Sequence, residues 1–154
     1  MVQQFSASFL LLVAVSHLML TASASAAANS NLRVTISGLK NQQGQVCLSL
    51  FSSQQGFPGS SERAVQARCL KVAEIPMVVQ FQNLPPGSYA IAVFHDANGD
   101  NILNRNGLGI PTEEFGFSQN PGIFAGPPKF GDSQVLVFGP ETNIQVRLRS
   151  LFQG

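Results

Sequence analysis

The chain has 154 residues, 44% of them apolar and only 11% charged, with 9 basic and 8 acidic side chains and a formal net charge of +1. That balance excludes two partner classes: nucleic acid and anionic membrane are both engaged through clustered Lys and Arg, and here Arg33, Lys40, Arg63, Arg68, Lys71, Arg147 and Arg149 are scattered. The acids are not scattered, since Asp96, Asp100, Glu113, Glu114 and Asp132 fall in one stretch whose cations are Arg105 and Lys129.

At the N-terminus, Phe9 to Leu20 is a nearly unbroken apolar run followed by the small residues Thr21 to Ala28. Spanning a bilayer takes about 20 apolar residues, so the run reads as the apolar core of a secretory signal, with Ala24-Ser25-Ala26 as an A-x-A cleavage site. No Lys or Arg lies within Met1 to Ser8, where such signals usually carry one. An uncleaved anchor and a buried core helix are the alternatives. Cleavage after Ala26 leaves residues 27–154 as one domain, exported to the periplasm or outside the cell, with no transmembrane helix.

Along that domain, Leu32, Val34 and Ile36 alternate with Arg33, Thr35 and Ser37, the mark of a half-buried strand. Asn41 to Gly44 makes a turn. Gln45 to Ser52 and Ala64 to Ala73 read as strands on either side of the breaker cluster Gln54 to Ser61. Pro76 to Gln82 follows, then the tight turn Leu84-Pro85-Pro86-Gly87 and the strand Ser88 to His95. Ser133 to Phe138 and Asn143 to Leu148, joined by a Gly-Pro turn, close the series. Seven short strands without an amphipathic helix between them predict an all-β fold, an antiparallel immunoglobulin-like or transthyretin-like sandwich. One long Gly-, Pro-, Asn- and Phe-rich loop, Asp96 to Asp132, interrupts it, and structureless loops of that length tend to be functional.

Cys47 and Cys69 are the only cysteines. An oxidising compartment lets a disulfide between them persist. Otherwise they are two buried thiols acting as small hydrophobes. With no C-x-x-C spacing and no histidine nearby, they do not suggest a zinc or redox site.

The long loop opens Asp96-Ala97-Asn98-Gly99-Asp100-Asn101-Ile102-Leu103-Asn104. Oxygen donors at positions 1, 3 and 5 resemble the start of a D-x-[DN]-x-[DN] calcium loop, whose close spacing lets several oxygens converge on one hard cation. The expected ligands are Asp96, Asn98, Asp100, Ile102, Asn104 and Glu113, with Glu113 or Glu114 folding back to supply the final carboxylate. Position 6 is Asn101 rather than Gly, and position 12 is Gly107 rather than Glu. The alternative is a metal-free turn, because Asp, Asn and Gly are also what a turn after a strand uses.

Catalytic readings find less support. His95 is the only histidine beyond the signal, and no G-x-S-x-G, H-E-x-x-H, P-loop or G-x-G-x-x-G occurs. A hydrolase using His95 with Asp96 or Glu113 is the rival reading, although neighbours on a strand point to opposite faces. The four phenylalanines Phe115, Phe117, Phe124 and Phe130 either form an exposed binding face or anchor the loop as a satellite core.

Three motifs together carry a resemblance: His95-Asp96-Ala97-Asn98-Gly99-Asp100; then Gly109-Ile110-Pro111-Thr112-Glu113-Glu114-Phe115-Gly116-Phe117-Ser118; then Gly126-Pro127-Pro128-Lys129-Phe130-Gly131-Asp132. With the strands before them, these resemble the bacterial family catalogued as domain of unknown function 2141. Gln119 stands where that family commonly has Asn. The resemblance nominates His95, Asp96, Asn98, Asp100, Glu113 and Asp132 as a site and implies no activity. Leu84 to Tyr89 separately resembles the L-P-P-G-x-Y turn of carboxypeptidase regulatory-like and collagen-adhesin sandwiches, an analogy of fold alone. The expectation is therefore an exported, non-enzymatic binding or accessory module with calcium at its acidic loop and a protein or envelope component as partner. Besides the hydrolase, the remaining alternative is a purely structural envelope or adhesin-like domain.

Overall fold

The computed structural model describes residues 28–124 and 126–151, so the signal expected over residues 1–26 lies outside the described residues. The alternating segment becomes β1 (Ser30–Ser37), with Leu32, Val34 and Ile36 fully buried and Arg33 exposed. The other expected strands follow as β2 (Gln45–Phe51), β3 (Gln66–Lys71), β4 (Met77–Leu84) and β5 (Gly87–Asp96). A short β6 (Phe115–Phe117) and a one-turn helix α1 (Phe130–Ser133) precede β7 (Val135–Val137) and β8 (Glu141–Arg147). At the Pro85-Pro86-Gly87 turn the Tyr89 hydroxyl donates to the Pro85 carbonyl at 2.8 Å, which fixes the entry into β5.

Two sheets face each other. One has the order β4-β1-β8, the other β3-β2-β5-β6. β7 also pairs with β5: it takes Gly87 to Tyr89 while β6 takes Ala92 to Phe94, so the two short strands follow one another along β5. Between the sheets Val34, Phe81, Leu48, Ile91 and Val137 are buried in one core, each large apolar side chain contributing about 1.5–3 kcal/mol by leaving water.

Two expectations are corrected. β1 and β8 run parallel, not antiparallel; alternation tells which face of a strand is buried but nothing of its neighbour's direction. An eighth strand, β6, lies inside the segment expected to be loop. Three residues are too few for a period. β6 is set from outside, by pairing with β5 and by Phe115 exchanging backbone hydrogen bonds with Arg149 at 3.0 and 2.9 Å. Gly116 is required there, because a Cβ would meet the Arg147 carbonyl oxygen at 2.7 Å.

Cys47 and Cys69 stand opposite each other in the β2–β3 pair and are bridged. The outer face of the larger sheet carries a second apolar layer in which the Phe57 ring meets Phe51, Phe117 and Phe130 edge-on, at centroid distances of 5.4, 6.0 and 6.0 Å. Phe115 and Phe117 are buried and Phe130 half-buried, so these anchor the long segment, whereas Phe124 is 98% exposed. Among the described residues no helix is long and apolar enough to cross a membrane.

Candidate functional site

Asp96 ends β5 with its carboxylate fully buried. One oxygen accepts the Gly99 and Asp100 N–H groups at 2.7 and 3.1 Å. The other accepts the Asn101 N–H and the Gln45 side-chain amide, both at 2.8 Å. The chain can wrap so tightly because Gly99 and Asn101 adopt positive φ, 77° and 63°, conformations that Gly and Asn tolerate. Asp100 continues the pattern, accepting the Ile102 N–H at 2.8 Å and the Asn98 and Asn104 amides at 2.9 and 3.0 Å. Glu113 folds back onto the same turn and accepts the Ala97 and Asn104 N–H groups at 3.1 and 2.9 Å. The six residues expected as calcium ligands are thus brought together, with their carboxylate oxygens turned toward the loop's own N–H groups. Among the described residues no three His, Cys, Asp or Glu side chains group as a metal-binding set.

His95 goes elsewhere. On the strand it faces away from Asp96, and its Nδ1 meets Glu114 at 3.0 Å while its Nε2–H donates to the Gln43 carbonyl at 2.7 Å. Glu114 also pairs with Lys40 at 2.8 Å. The rival reading placed His95 with Asp96 or Glu113; its carboxylate partner is instead Glu114. The physical reason is strand pleating, which sends His95 to the core side with Val46 and Asp96 to the outer side. With His95 only 1% exposed and both nitrogens engaged, the ring has no free position facing solvent.

Asp132 stands apart, accepting the Lys129 N–H at 3.0 Å where α1 begins. Ser118, last residue of the second motif, is buried between the two parts it joins: its hydroxyl accepts the Ile91 N–H at 2.9 Å and donates to the Ser133 carbonyl. Ser118 thereby holds the long segment onto β5, whereas the Asp132 contact is local to the start of α1.

Burial pushes the Asp96 carboxyl up, yet the Gln45 amide and the Asn101, Gly99 and Asp100 N–H groups outweigh it and hold it below its ordinary 3.8. For Glu114 burial likewise pushes up, and Lys40 and His95 hold the carboxyl below 4.5. Groups that bind a proton more weakly when folded stabilise the fold above their unfolded values, and the gain is lost as pH falls through the folded ones. Melting temperature is expected to stay level from about pH 7 to about pH 5 and to drop below about pH 4. Circular dichroism melts check this. A melt unchanged to about pH 2 would contradict the assigned contacts.

What the acid turn builds is a wall. Beyond it Asn104 to Thr112 forms a small hairpin, closed by the Arg105–Pro111 bridge and by Asn106, whose side-chain oxygen accepts the Leu108 and Ile110 N–H groups at 3.0 Å each. Ile102, Leu103, Ile110 and Pro111 from this segment, with Phe94 and Phe115 from the outer face of the larger sheet, line an open cavity of about 710 Å³. No local pattern in the sequence outlines the cavity, because its walls come from segments far apart in the chain. The available signal was the concentration of apolar residues in a Gly- and Asn-rich stretch.

The family described as "Uncharacterized protein conserved in bacteria (DUF2141)" matches residues 34–145, and the chain belongs to it. No curated protein and no solved structure matches the chain.

Proposed function

We propose that this DUF2141 domain is a non-enzymatic binding module that takes an apolar small molecule into the cavity between the outer face of its larger sheet and the long loop. The observation that carries this reading is the cavity itself. Its volume of about 710 Å³ lies within the roughly 300–1,000 Å³ of small-molecule sites, which are mostly apolar with few polar groups. The acid turn supports the reading in a specific way. The hydrogen bonds on Asp96, Asp100 and Glu113 fix the backbone on either side of Ile102 and Leu103, so the wall is formed before any ligand arrives, which lowers the ordering cost of binding.

Export fits the same reading. The N-terminal run of Phe9 to Leu20 has the form of a secretory signal, and a Cys47–Cys69 bridge persists in an oxidising compartment. The ligand is accordingly one met in the periplasm or outside the cell.

The neutral fluorophore N-phenyl-1-naphthylamine tests the cavity. Enhanced fluorescence with a Kd on the order of 10 μM is expected. Ile102→Asp places a charge on the wall at a residue 62% exposed, so the fold should be retained, and it is expected to weaken the probe about tenfold or more, since an unpaired charge resists desolvation. Absence of enhancement with folded wild type at about 100 μM, ten times the expected Kd, would refute the reading.

A further inference from the structure

We propose that the cavity's ligand is an amphipathic carboxylate, an ionised fatty acid, with Arg105 receiving its head group; this rests on the reading of the cavity as a binding site. The lining contains one charged side chain, Arg105, and no Asp or Glu. Arg105 is exposed, and its Nη1 donates to the Gly109 carbonyl at 2.9 Å, which ties the guanidinium to the hairpin that forms one wall. A guanidinium has five N–H donors in a planar fork matched to a carboxylate. The acids nearest in sequence, Asp100 and Glu113, direct their oxygens to the turn and make no ion pair with it. The ion pairs among the described residues join Glu114 to Lys40 and His95.

A lining whose one charged side chain is a guanidinium favours a negative charge on an apolar body at that point. Its about 710 Å³ holds on the order of twenty groups of water size, taken at about 30 Å³ each, which suits a single alkyl chain. Ile102, 62% exposed, and Leu151, 44% exposed, extend the apolar lining outward. A membrane surface is a poorer occupant, because juxtamembrane recognition uses clusters of basic residues and this cavity has one.

The test is competition against N-phenyl-1-naphthylamine by three molecules sharing a twelve-carbon chain and used below their micelle concentrations: dodecanoate, dodecanol and dodecyltrimethylammonium. Dodecanoate is expected to displace the probe at about one-tenth the concentration dodecanol needs, the ratio for one charge-assisted hydrogen bond, with the ammonium weakest. Arg105→Gln should erase the advantage of dodecanoate over dodecanol, each displacement being read relative to the probe's own affinity for that variant. Equal potency of the three chains, or an anion preference that survives Arg105→Gln, would overturn the inference while leaving the apolar cavity intact. Failure of the probe itself would remove both. Binding of the protein to neutral phosphatidylcholine vesicles without displacement by dodecanoate would also overturn it, in favour of a lipid surface.

Discussion

Replacing Asp96 by alanine is expected to destabilise the fold by about 3 kcal/mol, lowering the melting temperature by about 10 °C. The carboxylate accepts four hydrogen bonds, from the N–H groups of Gly99, Asp100 and Asn101 and from the Gln45 amide. Hydrogen bonds to a charged acceptor contribute about 1.5–3 kcal/mol each, and the total is reduced because the three loop residues are exposed and water recovers part of the loss. Asp96→Asn should fall between, since its amide nitrogen would face donors where the carboxylate had an oxygen. A second readout separates this role from a general loss of stability. With the turn released, Ile102 and Leu103 lose their fixed position, so naphthylamine binding should fall even well below the melting temperature. Running the melts with millimolar calcium and with chelator reads the other use of the same residues. A calcium-held loop would show a calcium-dependent rise of about 5–10 °C in the wild type, for a Kd near 10 μM, and calcium-free melts that coincide for wild type and variant.

Removing the Cys47–Cys69 bridge, by reduction or by replacing both cysteines with alanine, is expected to cost a similar amount, about 3 kcal/mol and about 10 °C. The bridge closes a loop of sequence separation 22, and in the chain-entropy description a loop of that size restricts the unfolded chain by about this much. The effect should concentrate in β3. That strand is at the edge of its sheet and has no fully buried residue; besides its ladder with β2 and the bridge it is held by Arg68, whose guanidinium donates to the Gln80 carbonyl and lies over the Phe81 ring at 4.4 Å. Its amides should exchange faster in the variant than those of β5, which is paired along most of its length. Non-reducing mass spectrometry supplies the control: the oxidised protein is two hydrogen atoms lighter than the reduced form and its cysteines are not alkylated after unfolding. A melt unchanged by complete reduction would show that the bridge contributes nothing to the folded state.

The two substitutions distinguish what the long segment contributes from what the sandwich contributes. Loss of the bridge should leave the cavity competent, because Cys47 and Cys69 are not among its lining residues. Loss of Asp96 should impair it. His95 belongs with neither: its contacts to Glu114 and the Gln43 carbonyl, together with Lys40 on Glu114, join the β1–β2 turn to the residue just before β6. That position explains why a histidine beside an aspartate contributes to structure here rather than forming a dyad.

The sequence by itself determined the buried faces of the strands, since alternation of apolar and polar residues at period two is a local property that the pleat reads directly. It also determined the Leu84 to Gly87 turn, the partner of each cysteine, because there were only two, and the stretch from Asp96 to Asp132 as the region to watch. Only the tertiary structure decided the rest. Whether β8 lies parallel to β1, whether Phe115 to Phe117 is a strand, and which glutamate meets His95 all depend on segments that come together across the chain: 19 residues separate His95 from Glu114, and 51 separate Gln45 from Asp96. The same holds for the loop's hydrogen bonds. Spacing placed Asp96, Asn98 and Asp100 close together, but which N–H groups Asp96 accepts follows from where the chain turns next, at Gly99 and Asn101. The cavity was the least legible feature, because its floor is the outer face of one sheet and its wall a hairpin from the following loop, and no local pattern records that the two will stand apart with space between them.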